Sequence, residues 1–257
     1  MNKSFGFIGG GRVVNILLSA LKNKNKFPED IIVSDNDIKV LEKLQGKFPK
    51  IKTTVNNLLP AKCNFIFISL HPPAIISTLE SIKEEIQKDT IIISLAPKIT
   101  LRKIKETIGK EVKAVRLIPN APSYIGKGFN PAAFSDNFTA HEKEELISLF
   151  DLFGKTPIVE ENKLESYAII TAMGPTYLWF QIAQLFNLGK EFNLADDELK
   201  IGISEMVKGC IATLFNSELT FEEVMDLIPV KPLYENENLI KEIYNSNLRT
   251  LYTKLKN

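Results

Sequence analysis

A chain of 257 residues can bury a large core and has room for two domains. Its 44% hydrophobic and 25% charged residues exclude a disordered or collagen-like protein, and a formal net charge of +1 excludes electrostatic capture of nucleic acid as the main activity, because phosphate contacts need a concentrated basic face. With no signal-peptide pattern at the start and no apolar run long enough to span a bilayer, the chain is expected to be cytoplasmic, with neither nucleic-acid nor membrane partners.

The first stretch, Ser4-Phe5-Gly6-Phe7-Ile8-Gly9-Gly10-Gly11-Arg12-Val13-Val14, reads as an apolar strand running into glycines and then a helix. Glycines let the backbone approach a pyrophosphate, and the helix that follows points free N–H groups at the anion, so Gly9, Gly10, Gly11, Arg12 and Val13 are candidate phosphate contacts. The spacing Gly9-x-Gly11-x-x-Val14 puts a β-branched residue where the dinucleotide fingerprint has a third small one, and an ordinary glycine-rich turn is the alternative. Position favours the nucleotide. The next strand ends in Ser34-Asp35-Asn36, where a carboxylate binds ribose hydroxyls and repels a 2′-phosphate. These three residues are assigned to the cofactor, NAD(P)H with a lean to NADH; capping the next helix is the other role open to Asp35.

Short apolar runs at 5–8, 31–34, 51–53, 65–70, 90–95 and 114–117 alternate with segments of helical period, which argues for right-handed crossovers and a mostly parallel, doubly wound sheet. Nearly continuous apolar character at 64–70 and 90–94 marks central strands covered on both faces. Ligands of such sheets sit beyond the carboxyl ends of the strands, so Leu70, His71 and Pro72, with Leu95 and Ala96, join the cofactor candidates; a plain loop histidine is the alternative for His71. Pro119-Asn120-Ala121-Pro122 holds a polar residue in a stiff, extended segment, which suits a group that orients a ring amide or a substrate. Extended pieces at 131–134 and 156–159 flank a helix from 139 to 153, opened by a Thr139–Glu142 capping box and stopped by Gly154. Cys63 and Cys210 are far apart, with no Cys or His at metal-ligand spacing, so both are expected to be buried reduced thiols and no metal is expected.

After residue 160 the texture changes to long helices without strands, over 175–192 and 196–214, each apolar over a wide arc. Such helices need partners on more than one side, so 1–160 is expected to be the dinucleotide-binding domain and 161–257 an all-helical domain shared in a homodimer or higher homo-oligomer, a self-contained bundle being the alternative.

In order along the chain, Gly6-Phe7-Ile8-Gly9-Gly10-Gly11, Leu70-His71-Pro72, Val115-Arg116-Leu117-Ile118-Pro119-Asn120-Ala121-Pro122 and Thr171-Ala172-Met173-Gly174-Pro175-Thr176-Tyr177 resemble motifs of the pyrroline-5-carboxylate reductase family. The resemblance implies a Rossmann domain, a helical dimerisation domain and reduction of a cyclic imine, a small-molecule substrate, by NAD(P)H in proline biosynthesis. It also implies an adenosine contact for Asn56, which on the residues alone reads as a helix cap. Asn120, Thr171, Met173, Gly174 and Thr176 would then share a catalytic cleft, the helix opened by Gly174-Pro175 offering N–H groups to a carboxylate.

The chain also departs from that pattern. Asn36 stands where the family often has a basic residue and Met173 where it has serine, and Asp226-Leu227-Ile228-Pro229-Val230-Lys231-Pro232-Leu233 replaces a glycine-rich loop that lends N–H groups and a hydroxyl to the substrate. Two prolines remove donors there, and β-branched residues resist positive φ. Each charge-assisted hydrogen bond to a carboxylate contributes roughly 1.5 to 3 kcal/mol, so losing two is expected to lower catalytic efficiency on pyrroline-5-carboxylate by about two to four orders of magnitude unless Lys231 substitutes as a point charge. Three functions stay open: a reductase of this kind, a related imine or carbonyl reductase with another substrate, and a dinucleotide-binding protein without catalysis.

Overall fold

Strand β1 (Phe5–Ile8) lies inside a seven-stranded sheet of order β3-β2-β1-β4-β5-β6-β8, in a computed structural model that describes residues 3–109 and 111–256. Its parallel members are β1, β2 (Ile31–Ser34), β3 (Lys52–Thr54), β4 (Phe65–Ile68), β5 (Ile91–Ser94) and β6 (Lys113–Leu117), while β8 (Ala132–Phe134) runs antiparallel to β6. Helices α1 (Arg12–Asn23), α2 (Ile38–Lys47), α3 (Pro72–Ile82) and α4 (Leu101–Ile108) connect successive strands, as right-handed crossovers require. Alternate side chains feed two cores: Phe7, Val33, Phe67 and Ile93 on one face, Ile8, Ile66, Ile68 and Ile92 on the other. Burial on both faces is what the unbroken apolar runs encode. Strand order reverses between β1 and β4, and beyond the carboxyl ends of strands at such a switch point a doubly wound sheet opens its ligand crevice.

The segment after β6 differs in detail from the sequence expectation. Helix α5 (Ala140–Phe150) has the Thr139–Glu142 capping box, but it ends at Phe150 with Asp151 as its cap, and Gly154 does not stop it. Gly154, at φ +132°, instead begins β9 (Gly154–Lys155), paired with β7 (Gly128–Phe129); a Cβ on it would stand 2.1 Å from the carbonyl oxygen of Gly128. Close backbone approach, not helix termination, demands glycine there. Of the piece expected at 156–159, Ile158 makes only an isolated bridge to Ala132.

The chain parts into two compact units between Met173 and Gly174, later than residue 160, with the residues from Tyr252 counted in the first unit. The reason is burial. Helix α6 (Leu164–Tyr167) and the π-helical turn Ala168–Ala172 look like part of a helical region, yet Leu164 and Ala168 are sealed into the core cluster of Ile8, Ile66 and Ala114.

The second unit holds α7 (Gly174–Glu191), α8 (Asp196–Asn216), α9 (Phe221–Asp226) and most of α10 (Tyr234–Lys256). Helices α7 and α8 cross so tightly that a Cβ on Gly189 would lie 2.2 Å from a methyl of Leu199, and these two are the only buried residues among those described in the unit. Cys63 is buried, which pushes its thiol up, whereas Cys210 on α8 is exposed, contrary to the expectation of two buried thiols.

Candidate functional site

The glycine turn between β1 and α1 is shaped by its neighbours. Gly9 has φ +93°, and a Cβ there would press on the Ser69 carbonyl at 2.7 Å, so this position needs glycine for the fold itself. Ser69, just beyond β4, fixes the turn further: its hydroxyl reaches the carbonyls of Ile8 at 3.0 Å and Gly9 at 2.6 Å. Gly11 is different, since a Cβ on it would meet nothing within 4 Å. That open face, at the start of a helix whose first N–H groups lack partners, fits a pyrophosphate. Arg12 is exposed on the first residue of α1 and Val13 is half-buried.

Asp35 faces the same turn. Its Oδ2 accepts the Gly10 N–H at 2.7 Å and its Oδ1 accepts the Asp37 N–H at 2.9 Å. Helix α2 is capped by Asp37, not by Asp35, which stands just past the carboxyl end of β2. Asn36 beside it is exposed. Ser34 is fully buried and donates to Oδ1 of Asn57 at 2.7 Å, so Asn57 is the residue joined to the end of β2. Asn56 accepts the Leu58 N–H at 2.9 Å within a turn, while the short 3-10 segment that follows is preceded by Leu59, so Asn56 holds a turn and not a helix end.

His71 is exposed on the residue before α3, with Pro72 in the first helical turn and Leu70 half-buried. Leu95 and Ala96 are buried where β5 ends. Asn120 is also buried, and its carboxamide is committed inside the protein: Nδ2 donates to the Thr171 carbonyl at 3.2 Å and Oδ1 accepts the Phe129 N–H at 3.1 Å. It joins the segment after β6 to the π-helical turn. The Thr171 hydroxyl donates back to the Tyr167 carbonyl at 2.9 Å, and the Met173 N–H to the Ala168 carbonyl at 3.0 Å. Gly174 and Thr176 open α7, in the second unit.

A polar network that local sequence gives no sign of is centred on β6. Arg116 on β6, 1% exposed, donates to Glu161 at 3.1 Å and to Glu165 at 2.5 Å. The same Glu165 oxygen accepts the Lys98 N–H at 3.2 Å and the same Glu161 oxygen the Leu101 N–H at 2.7 Å, so both carboxylates clamp the loop between β5 and α4. Burial pushes the Glu165 carboxyl up, but the Arg116 hydrogen bond and charge, with the Lys98 N–H, outweigh it and hold the group below its ordinary value. Lys98 has φ +76°, a left-handed backbone for which a side chain is costly. Among the described residues no three His, Cys, Asp or Glu side chains gather into a group that could hold a metal ion, and no helix is long and apolar enough to cross a membrane.

A family model described as NADP oxidoreductase, coenzyme F420-dependent, matches residues 4–98, which span the glycine turn, Asp35 and the first five strands. A curated pyrroline-5-carboxylate reductase of Staphylococcus epidermidis is 22% identical over 227 residues, covering 88% of this chain and 84% of that protein. Over most of its length the chain is similar to pyrroline-5-carboxylate reductases. A second such reductase, from Corynebacterium melassecola, is 23% identical over 73% of this chain and 70% of its own length. The crystal structure of Plasmodium falciparum pyrroline carboxylate reductase with NADP bound shares the fold at a TM-score of 0.82 and 23% identity, over 99% of this chain and 97% of that one.

Proposed function

We propose that this chain is an NAD(P)H-dependent reductase of a carbon–nitrogen double bond, of the pyrroline-5-carboxylate reductase kind, taking a cyclic imine in the synthesis of proline. The observation that carries it is the open backbone face at Gly11 beside the Gly10–Asp35 bond, set within a run of likeness that continues through most of the chain. A bound reduced dinucleotide supplies the hydride; the chain's own residues hold and place it.

In this reading Gly9, Gly10, Gly11, Arg12 and Val13 receive the pyrophosphate and Asp35 the adenosine ribose, with Asn36 beside it. Ser34 and Asn57 support that end from below, and Asn56 holds the neighbouring turn. Leu70, His71, Pro72, Leu95 and Ala96 border the nicotinamide end and exclude water. Asn120 acts by position: its two bonds tie the Thr171 carbonyl and the backbone at Phe129 together, which stiffens the segment after β6. A carboxylate at Asp35 repels a 2′-phosphate, which favours NADH. The second unit, with so little buried, completes its core against a second copy, making a homodimer or larger homo-oligomer that works in the cytoplasm.

Two measurements together test the reading. Fluorescence titration with NADH and NADPH is expected to show binding of both, NADH the tighter, and reduced cofactor is expected to be consumed with Δ1-pyrroline-5-carboxylate. Gly11→Val is expected to stay folded, because a Cβ there has no protein atom within 4 Å, and to lose dinucleotide affinity altogether. Unchanged affinity in that variant would overturn the assignment of the turn, and wild-type binding without turnover would leave a dinucleotide-binding protein.

A further inference from the structure

The replacement of a donor-rich loop by residues 226–233 leaves open which group of this chain receives the carboxylate of a ring substrate. Lys231 was the candidate, but its ammonium lies 3.4 Å from Asp226 on the same short segment and is already paired. Lys98 is not: its side chain is exposed, and its ammonium has no hydrogen-bond or ion-pair partner among the described residues.

Two further observations set Lys98 apart from an ordinary surface lysine. Its backbone sits at φ +76°, in the region that favours glycine. That conformation is also imposed from outside. Glu165 takes the Lys98 N–H and Glu161 the Leu101 N–H, and both carboxylates are anchored on the buried Arg116, so the loop is fixed at two points three residues apart in sequence. A strained residue persists only where its surroundings over-determine it, and such residues gather at ligand sites. The loop lies at the carboxyl end of β5, directly after Leu95 and Ala96. Ile99, the next residue, packs on the apolar cluster that Leu70 and Ala172 also border.

We infer that Lys98 is the cation that binds the carboxylate of the ring substrate, held in a strained backbone by the Arg116–Glu165 clamp so that its ammonium stands at the nicotinamide end of the sheet. The assignment rests on the reductase reading above. It makes Lys98 a specificity-determining residue, with Arg116, Glu161 and Glu165 as its positioning residues.

The experiment compares full-length wild type with Lys98→Gly, Lys98→Ala and Lys98→Arg on Δ1-pyrroline-5-carboxylate and on uncharged Δ1-pyrroline, with chemical denaturation and NADH titration of each. Glycine and alanine are expected to raise KM for the carboxylate-bearing ring roughly 10- to 100-fold, the worth of one charge-assisted hydrogen bond, while kcat/KM for the uncharged ring stays within about threefold and arginine keeps most of the preference. Glycine alone is expected to move the denaturation midpoint upward, since alanine removes the charge but keeps the strain. An unchanged KM, equal losses on both rings, a loss confined to NADH affinity, or a lowered midpoint in the glycine variant would each overturn the assignment. A wild type that reduces no ring imine and binds no proline by calorimetry overturns the reductase reading and the assignment with it; an active wild type that Lys98→Gly leaves unaltered overturns the assignment alone.

Discussion

In the first unit Phe7 and Phe67 stack 4.6 Å apart with no exposed surface, whereas in the second Phe180 and Phe192 keep 66% and 70% of theirs. Both units are rich in apolar side chains. The difference is that parallel strands with helices on both faces close a core within one chain, while helices apolar over a wide arc close it only when something covers the far side. The stability of the first unit is therefore its own, and that of the second depends on concentration if a second copy covers it.

The largest effect is expected from Phe67→Ala, which removes a fully buried ring between two others and should cost about 3 to 5 kcal/mol, read as a lower denaturant midpoint at any protein concentration. A change in a second-unit aromatic should behave differently. Phe180→Ser is expected to weaken self-association by about 1.5 to 3 kcal/mol for each ring that loses its cover, seen in sedimentation as a shift to lighter species, with little change in nucleotide binding. A wild-type chain that sediments as a monomer at micromolar concentration would remove the contrast.

The smallest effect concerns the capping box of α5. The hydrogen bond from Lys113 to Glu142, helped by the Thr139 N–H, holds that carboxyl at about 2 against an ordinary 4.5. A group depressed by folding contributes stability that is complete above its unfolded value and is lost as pH falls toward the folded one, so the contribution should fade between about pH 4.5 and 2. Solvent screening keeps it small, because both side chains are nearly a third exposed. Glu142→Gln is expected to flatten the acid limb of a stability–pH curve slightly, and an unaltered slope would show that the pair contributes nothing measurable.

What the sequence made legible follows the range of the interactions. The central strands were visible because burial on both faces writes an unbroken apolar run, and the cap of α5 because Thr139 and Glu142 lie three residues apart. Asn120 was visible as a polar residue in a stiff segment, but the commitment of its carboxamide to Thr171 and Phe129 was not. Gly154 was misread because a glycine after a helix is usually a terminator, and its need for φ +132° comes from Gly128, a neighbour only in space. Helical texture after residue 160 does not tell whether Leu164 is buried in the first core, and its burial there carries the first compact unit on to Met173. Arg116 and Glu165 are 49 residues apart, and a positive φ on Lys98 leaves no mark in composition or spacing.

Strand β8 beside β6 has one more consequence, for molecules crowded together. The outer side of β8 is partly taken, since the Ala132 N–H donates to the Pro157 carbonyl and the Ala132 carbonyl accepts the Val159 N–H, both at 2.9 Å. At the opposite margin β3 is three residues long and begins with Lys52, whose ammonium rests 2.9 Å from Asp30. A foreign strand would thus find neither margin long, bare and uncharged enough to extend the sheet. Concentrated solutions of the chain should resist strand-mediated polymerisation.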